Sequence, residues 1–223
     1  MTDFTGFAPT PVQIRVDAQN TGYTSGGKRV LDFILAILAL PFVLPVIAIL
    51  CVLVRRDGGP GFFGHTRIGQ NGMRFRCWKI RTMRPNAEDY LAEYLRNSPE
   101  AAKEWEADHK LTHDPRITPL GNFLRRSSLD ELPQLLNILR GEMSFVGPRP
   151  IVTAELAKYG VYAESYISVK PGLTGLWQVS GRNEISYSER VQLDMDYIAS
   201  QSLTQDLTII AKTAQAVLAR TGK

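Results

Sequence analysis

FILAILALPFVLPVIAILCVLV, residues 33–54, is a run of 22 residues without a single charge. As one straight helix it would measure about 33 Å, enough to cross the hydrocarbon core of a bilayer. Two features complicate a simple crossing. Pro41 and Pro45 stand in its middle, and each removes a backbone donor and crowds the preceding turn. Lys28 and Arg29 precede the run and Arg55 and Arg56 follow it, and basic flanks favour the cytoplasmic side of a membrane. Both are accommodated if the segment enters, bends at the prolines and returns to the same face, with arms of roughly 15 Å. A kinked spanning helix is the alternative, because carbonyls freed at a bend must find partners within lipid. A buried helix of a soluble core is a third reading.

Outward from this run, the chain has 223 residues, 44% apolar and 22% charged, which excludes wholesale disorder. A mean hydropathy of −0.12 excludes a polytopic membrane protein. Cys51 and Cys77 are the only cysteines, so there is no disulfide framework and no cysteine-based zinc site. Residues 1–27, polar and rich in Thr, Gly and Pro, read as a flexible leader without the pattern of a signal peptide. The division that follows is leader 1–27, membrane segment 28–57 and a domain outside the membrane core, 58–223. The net charge of +4 hides a strong asymmetry: residues 55–84 hold eight Lys or Arg against Asp57 alone. Such a block seeks an anionic partner.

The elements after the membrane run are short. FFGHTRIG (62–69) and MRFRCWKIRTM (73–83) alternate as strands about a Gln70-Asn71-Gly72 turn. On the second strand Arg74 and Arg76 share one face and Lys79 and Arg81 the other. Residues 86–110 read as an acidic exposed helix restarted at Ser98-Pro99, and 120–140 as an amphipathic helix ended by Gly141. Helices near 151–158, 186–199 and 203–219 follow. The last ends in Arg220 and Lys223 and suits either the membrane interface or the protein core. The expected class is α/β (α+β): a small, mainly helical catalytic domain with a short β-hairpin.

Ser127-Ser128-Leu129-Asp130-Glu131-Leu132-Pro133 admits two readings. Ser128-x-x-Glu131 matches a capping box at a helix start. Adjacent carboxylates with Arg125 and Arg126 one turn earlier could also hold a divalent ion and a phosphate, and one carboxylate could attack phosphorus. Pro148-Arg149-Pro150 fixes an arginine for bidentate contact with phosphate, or for a structural pair with a carboxylate. Phe75, Trp78 and Tyr90 among the cations invite a nucleic-acid reading, but behind a membrane run lipid headgroups or phosphorylated substrates fit better, and no nucleic acid is expected. His109 and His113, four apart, lack an obvious third metal ligand.

Arg67-x-Gly69-x-x-Gly72, Lys79-Ile80-Arg81-Thr82-Met83, Asp114-Pro115-Arg116-Ile117-Thr118, Ser127–Gln134, Val146–Pro150 and Pro171-Gly172-Leu173-Thr174-Gly175-Leu176-Trp177-Gln178 occur together and in this order. From about Lys28 onward the chain resembles the bacterial sugar transferases, the monotopic phosphoglycosyl transferases. Among them it is most similar to the undecaprenyl-phosphate galactose phosphotransferases that initiate exopolysaccharide synthesis. The resemblance implies a re-entrant membrane helix, further amphipathic helices in the interface, and a catalytic domain on the cytoplasmic face of the inner membrane. It implies transfer of a sugar-1-phosphate from a UDP-sugar to undecaprenyl phosphate with release of UMP, through a covalent aspartyl intermediate. Asp130 is then the nucleophile, and Glu131 with Asp130 holds Mg2+. Arg125, Arg149, Lys79 and Arg81 contact phosphate or nucleotide, and Lys28, Arg29, Asp32, Pro41 and Pro45 belong to the membrane anchor. Leu40 precedes Pro41 where the family commonly has serine. A homo-oligomer is compatible with this reading. The sugar implied is galactose, and three rivals remain: a non-enzymatic basic membrane scaffold, the same reaction with glucose or an N-acetylamino sugar, and a glycosyl transferase that releases UDP.

Overall fold

The computed structural model describes residues 15–18, 21–108, 111–181 and 185–218. Helix α1 (Lys28–Val54) runs unbroken by assignment through Pro41 and Pro45, with a π-helical turn, Tyr23–Gly27, leading into it. One stripe of α1 is buried: Asp32, Ala36, Ile47, Leu50 and Val54, with Ala39 and Val43 partly so. The opposite stripe is apolar and bare, with Leu38, Phe42 and Val52 exposed by 63%, 77% and 64%. A soluble core helix would cover these side chains, so that reading is set aside. Among the described residues this is the one helix long and apolar enough to cross a membrane.

Both ends of α1 are fastened to the rest of the chain. Near its start, Arg29 donates to the carbonyls of Ile138 and Leu139 (2.8 Å to the latter), where a helix end leaves acceptors unpaired. Asp32 accepts from Ser144 Oγ at 3.0 Å and Phe145 N at 2.9 Å. Lys28 pairs with Asp206, which also accepts from Tyr23 and Tyr197. At the far end Val54 O accepts from Arg81 Nη2 at 3.0 Å. The expected flexible leader is therefore partly docked: besides Tyr23, Val16 N donates to Ser165 Oγ at 2.7 Å. Residues 1–14 lie outside the described residues.

The hairpin pairs β1 (Phe62–Ile68) with β2 (Arg74–Ile80), antiparallel, in the register Phe62↔Ile80 to Ile68↔Arg74. Asn71 and Gly72 at its tip both have positive φ, as a tight hairpin turn requires. Phe75 and Cys77 point inward against Ala36 of α1 and against Leu135 and Ile138 of α5 (Gln134–Arg140). Asn137 serves the open edge of β2, donating to Arg76 O at 2.7 Å and accepting from Trp78 N at 3.1 Å. The acidic segment forms α2 (Ala87–Asn97) and α3 (Pro99–Asp108), parted at Ser98-Pro99 as expected.

The amphipathic segment 120–140 is not one helix. α4 (Pro119–Ser127), capped by the Thr118 hydroxyl, stops where Ser128 turns left-handed at φ 57°. A 3-10 turn, Leu129–Glu131, follows, and Pro133 then precedes α5. Ser128 makes no side-chain cap bond, so the capping-box reading fails. Its left-handed backbone puts the chain outside the extended conformation that an N-cap needs.

Beyond α5 a short parallel pair, β3 (Ser144–Val146) and β4 (Gly172–Thr174), adds to the expected hairpin. Its backbones meet closely: a Cβ on Gly172 would lie 2.1 Å from Gly147 N. Around this pair lie α6 (Thr153–Leu156), α7 (Ala163–Ser168), α8 (Leu176–Ser180), α9 (Tyr187–Ala199) and α10 (Leu203–Leu218). Their core holds Tyr159, Tyr166, Met195, Ile198 and Ile209. Asp206 and Ile209 dock α10 on the protein, while Leu203, Leu207 and Val217 stay 46%, 48% and 41% exposed. Arg220 and Lys223 lie outside the described residues.

Candidate active site

On β2, Lys79 shares the face of Phe75 and Cys77, next to the buried Ile80. The 3-10 turn between α4 and α5 sets Asp130 and Glu131 opposite it. Lys79 Nζ lies 2.6 Å from Glu131 Oε1 and 3.6 Å from Asp130 Oδ2. Asp130 is only 6% exposed. Burial drives its pKa above the ordinary carboxylate value, and Lys79 pulls part of the way back. Burial acts on Lys79 in the opposite sense, yet Glu131 and Asp130 outweigh it and hold its pKa above normal. The trio is thus a carboxylate pair sharing one ammonium.

Arg125, from the last turn of α4, donates through Nε to Thr82 Oγ1 at 2.9 Å. It lines, with Lys79, Asp130 and Glu131, a cavity of about 880 Å³. The polar wall continues through Arg67 and His65 of β1. The lining also takes in Ala39 and Val43 of α1 and Ile210, Thr213, Ala214 and Val217 of α10, a mostly apolar set. Arg149 is exposed, and its guanidinium lies 5.8 Å from the Trp177 ring, which itself lines the cavity. Of the expected site residues, Asp130, Glu131, Lys79, Arg125 and Arg81 line the cavity, and Arg149 touches it through Trp177.

Arg81 also borders the cavity, but its guanidinium is engaged within the fold. Its side chain is buried; Nε donates to Pro60 O at 2.6 Å, Nη1 to Asp57 Oδ2 at 2.9 Å and to Met83 O, and Nη2 to Val54 O and Asp57 Oδ1. All five guanidinium donors are taken. Arg81 fastens the end of α1 to the hairpin and has nothing left for a phosphate. It shares a strand face with Lys79 by parity, and its backbone N still donates to Gly61 O at 3.0 Å, one step beyond the last β1–β2 pair.

Sequence reading gave no role to a second stack. Arg190 is 8% exposed and lies between the rings of Trp177 (5.1 Å) and Tyr187 (4.7 Å). Tyr159 OH donates to Asp194 at 2.7 Å, and burial pushes the Asp194 carboxyl up to about 7. The stack fixes Trp177 in the cavity wall. The spacing Arg190-x-x-x-Asp194 on a helix face was the available signal, and it also fits an ordinary surface pair.

Asp130 and Glu131 supply two carboxylates, and among the described residues no group of three or more His, Cys, Asp or Glu forms a closed metal cage. Two carboxylates completed by substrate phosphates is the donor set that suits Mg2+, and Lys79 already marks the gap between them as a place for positive charge. His109 lies outside the described residues.

The model of the family described as bacterial sugar transferase matches residues 23–220. The chain is 49% identical to the undecaprenyl-phosphate galactose phosphotransferase of Salmonella typhimurium over 195 residues, 87% of this chain and 41% of that one. The UDP-galactose-lipid carrier transferase of Erwinia amylovora matches with the same identity and the same shares. The exopolysaccharide production protein ExoY of Sinorhizobium fredii is 52% identical over 191 residues, 85% of this chain and 84% of that one. The chain thus spans about two fifths of the length of the first two relatives (41%) and most of the third.

Proposed function

The chain belongs to the bacterial sugar transferase family, and from that premise we propose that it primes exopolysaccharide synthesis by moving a sugar-1-phosphate from a UDP-sugar to undecaprenyl phosphate with release of UMP. The observation that carries this reading is a buried Asp130, flanked by Lys79 and Arg125, in a cavity that residues of α1 and α10 also line. A carboxylate is a weak nucleophile in water; here burial strips its hydration while Lys79 keeps charge on it favourable.

An oxygen of Asp130 attacks the phosphorus that bears the sugar. The bond from that phosphorus to the bridging oxygen breaks, and UMP leaves with the electron pair. The resulting acyl phosphate carries the sugar-1-phosphate. An oxygen of polyprenyl phosphate then attacks the same phosphorus, and Asp130 departs as carboxylate. Arg125 lies near enough to offset phosphate charge in both halves, so one phosphate site serves both substrates in turn. Glu131, with Asp130, would hold Mg2+, which when bound would screen the charges of two phosphates and a carboxylate at close range. Arg149 at the rim would face the nucleotide.

The membrane segment is read here as re-entrant, with the catalytic domain on the cytoplasmic face. The domain holds α1 at Arg29 and Asp32 and again at Val54. That supports both ends lying on one side of the membrane, because a helix perpendicular to the bilayer would carry its two ends about 40 Å apart. The bare apolar stripe of α1 would face lipid. The names of the Salmonella and Erwinia relatives support galactose as the sugar.

Purified protein with UDP-galactose, Mg2+ and undecaprenyl phosphate should form UMP and a lipid-linked diphosphate sugar. Release of UDP instead would assign a glycosyl transferase. No nucleotide product with any UDP-sugar would leave only the scaffold.

A further inference from the structure

The segments that carry Arg149 and Trp177 meet backbone to backbone. Gly147 and Gly175 stand two residues before them, and a Cβ on Gly175 would lie 2.4 Å from Gly147 O. Pro148 and Pro150 stiffen the chain on either side of Arg149. What stays adjustable is the two side chains. Trp177 is buried in the cavity wall, and its Nε1 has no hydrogen-bond partner, so packing alone sets the angle of the indole. Arg149 is exposed; among the described residues its guanidinium enters no ion pair, and it lies against the Trp177 ring.

Arg190 of α9 supplies the packing. It is buried, and Nε and Nη2, the side-on edge of its fork, have no partner. Asp194, one turn further along α9, accepts from Tyr159 OH, and burial pushes its carboxyl up to about 7, so it balances only part of the charge near neutral pH. Aromatic faces cover the guanidinium instead, Trp177 at 5.1 Å and Tyr187 at 4.7 Å, and Lys158 lies 5.0 Å from the Tyr187 ring. A cation gains more from a ring face when both are desolvated, and a buried charge left bare is costly. Trp177 therefore cannot turn without uncovering Arg190. Arg149, Trp177, Arg190, Tyr187 and Lys158 form one series of alternating cations and rings.

Resting on the functional reading above, we propose that Arg190 is a positioning residue for the donor half of the reaction: through Trp177 it sets the direction of Arg149, which meets the diphosphate of the UDP-sugar. The nucleotide arrives from water, where Arg149 is exposed. Lys79 and Arg125 serve the phosphates of both substrates from β2 and α4, outside the stack. Arg190 thus acts on the donor and leaves the acceptor step alone.

Steady-state kinetics of the full chain in detergent micelles separate the two substrates. In Arg190→Met, kcat/KM for UDP-galactose should fall by about tenfold or more while that for undecaprenyl phosphate holds within about threefold. A smaller fall for the donor, or an equal one for the acceptor, overturns the proposal. Arg190→Lys keeps the charge but loses the planar face and should fall with Arg190→Met; recovery to the parent value would mean that charge alone matters and overturn it. In an Arg149→Ala background, Arg190→Met should cost little more, and full additivity would show that the two act separately. Should the Arg190 variants fail to fold, the native stack still decides. In a chain carrying Trp78→Phe and Trp105→Phe, UMP should change the emission of Trp177, and Arg149→Ala should shift that titration to about tenfold higher UMP. Emission indifferent to saturating UMP overturns the role. No UMP from the wild-type chain with any UDP-sugar would sink the functional reading itself, and the positioning role with it.

Discussion

Asp130 must be ionised to attack phosphorus, and its surroundings pull in two directions. Burial raises its pKa, and Lys79 lowers it. The acid limb of kcat/KM should therefore lie above the ordinary aspartate value, and Lys79→Met should move it to still higher pH. A limb that stays in place on loss of Lys79 would break the assignment. Asp130→Asn should abolish turnover while leaving the melting temperature within a few degrees of the parent, since Asp130 makes no cap whose loss would cost the usual 0.5–2 kcal/mol or so. Asp194 gives a separate expectation. Its folded pKa of about 7 lies above the ordinary aspartate range because the group is buried, so the folded state holds this proton longer than the unfolded one. Stability from this group is complete at low pH and is lost as pH rises through about 4 to 7. Asp194→Asn should thus gain on the parent across that window and run parallel to it above, as followed by thermal melts at stepped pH. Arg81 marks where residue-by-residue reading stops. Strand parity groups it with Lys79, but parity does not say which acceptors claim a guanidinium, and the Asp57 and Val54 acceptors that claim it are remote in sequence.

At the scale of elements, the hairpin, α9 and α10 were legible because each carries its own signal: Gln70-Asn71-Gly72, or apolar residues at helical spacing. The break between α4 and α5 was not. Ser128-x-x-Glu131 matches a cap, and only the fold imposes φ 57° on Ser128. That break is what turns Asp130 and Glu131 toward Lys79. The β3–β4 pair was also hidden, since three residues each carry too little pattern and the pairing rests on the close approach of Gly147 and Gly172. Asn137 links helix to strand. Replacing it by Leu keeps the volume but leaves Arg76 O and Trp78 N without their side-chain partners. We expect a loss of about 3 kcal/mol in urea unfolding. A loss under about 1 kcal/mol would mean that water or the strand itself takes over the pairing. In α1, each proline removes a donor. Pro41→Ala with Pro45→Ala should favour a straight helix and a spanning topology.

For the whole molecule, the proposed function requires a basic site at headgroup height, with the bare apolar stripe of α1 toward lipid. In a chain freed of Cys51 and Cys77, single cysteines at Gly22 and Gly58 should both resist an impermeant thiol reagent applied outside spheroplasts. The proline double variant should expose one of them. Labelling of either in the parent would contradict the re-entrant arrangement. The central claim is chemical, that Asp130 itself carries the sugar-1-phosphate between two substrates that never need to be bound together. The most direct measurement is intact-protein and peptide mass spectrometry after mixing the purified chain with UDP-galactose and Mg2+ and no lipid. The account predicts an adduct of one hexose-1-phosphate on the peptide containing Asp130, formed with an equal amount of UMP. The adduct should be discharged by undecaprenyl phosphate and absent in Asp130→Asn. UMP formed only when the lipid is present, with the protein mass unchanged throughout, would contradict it.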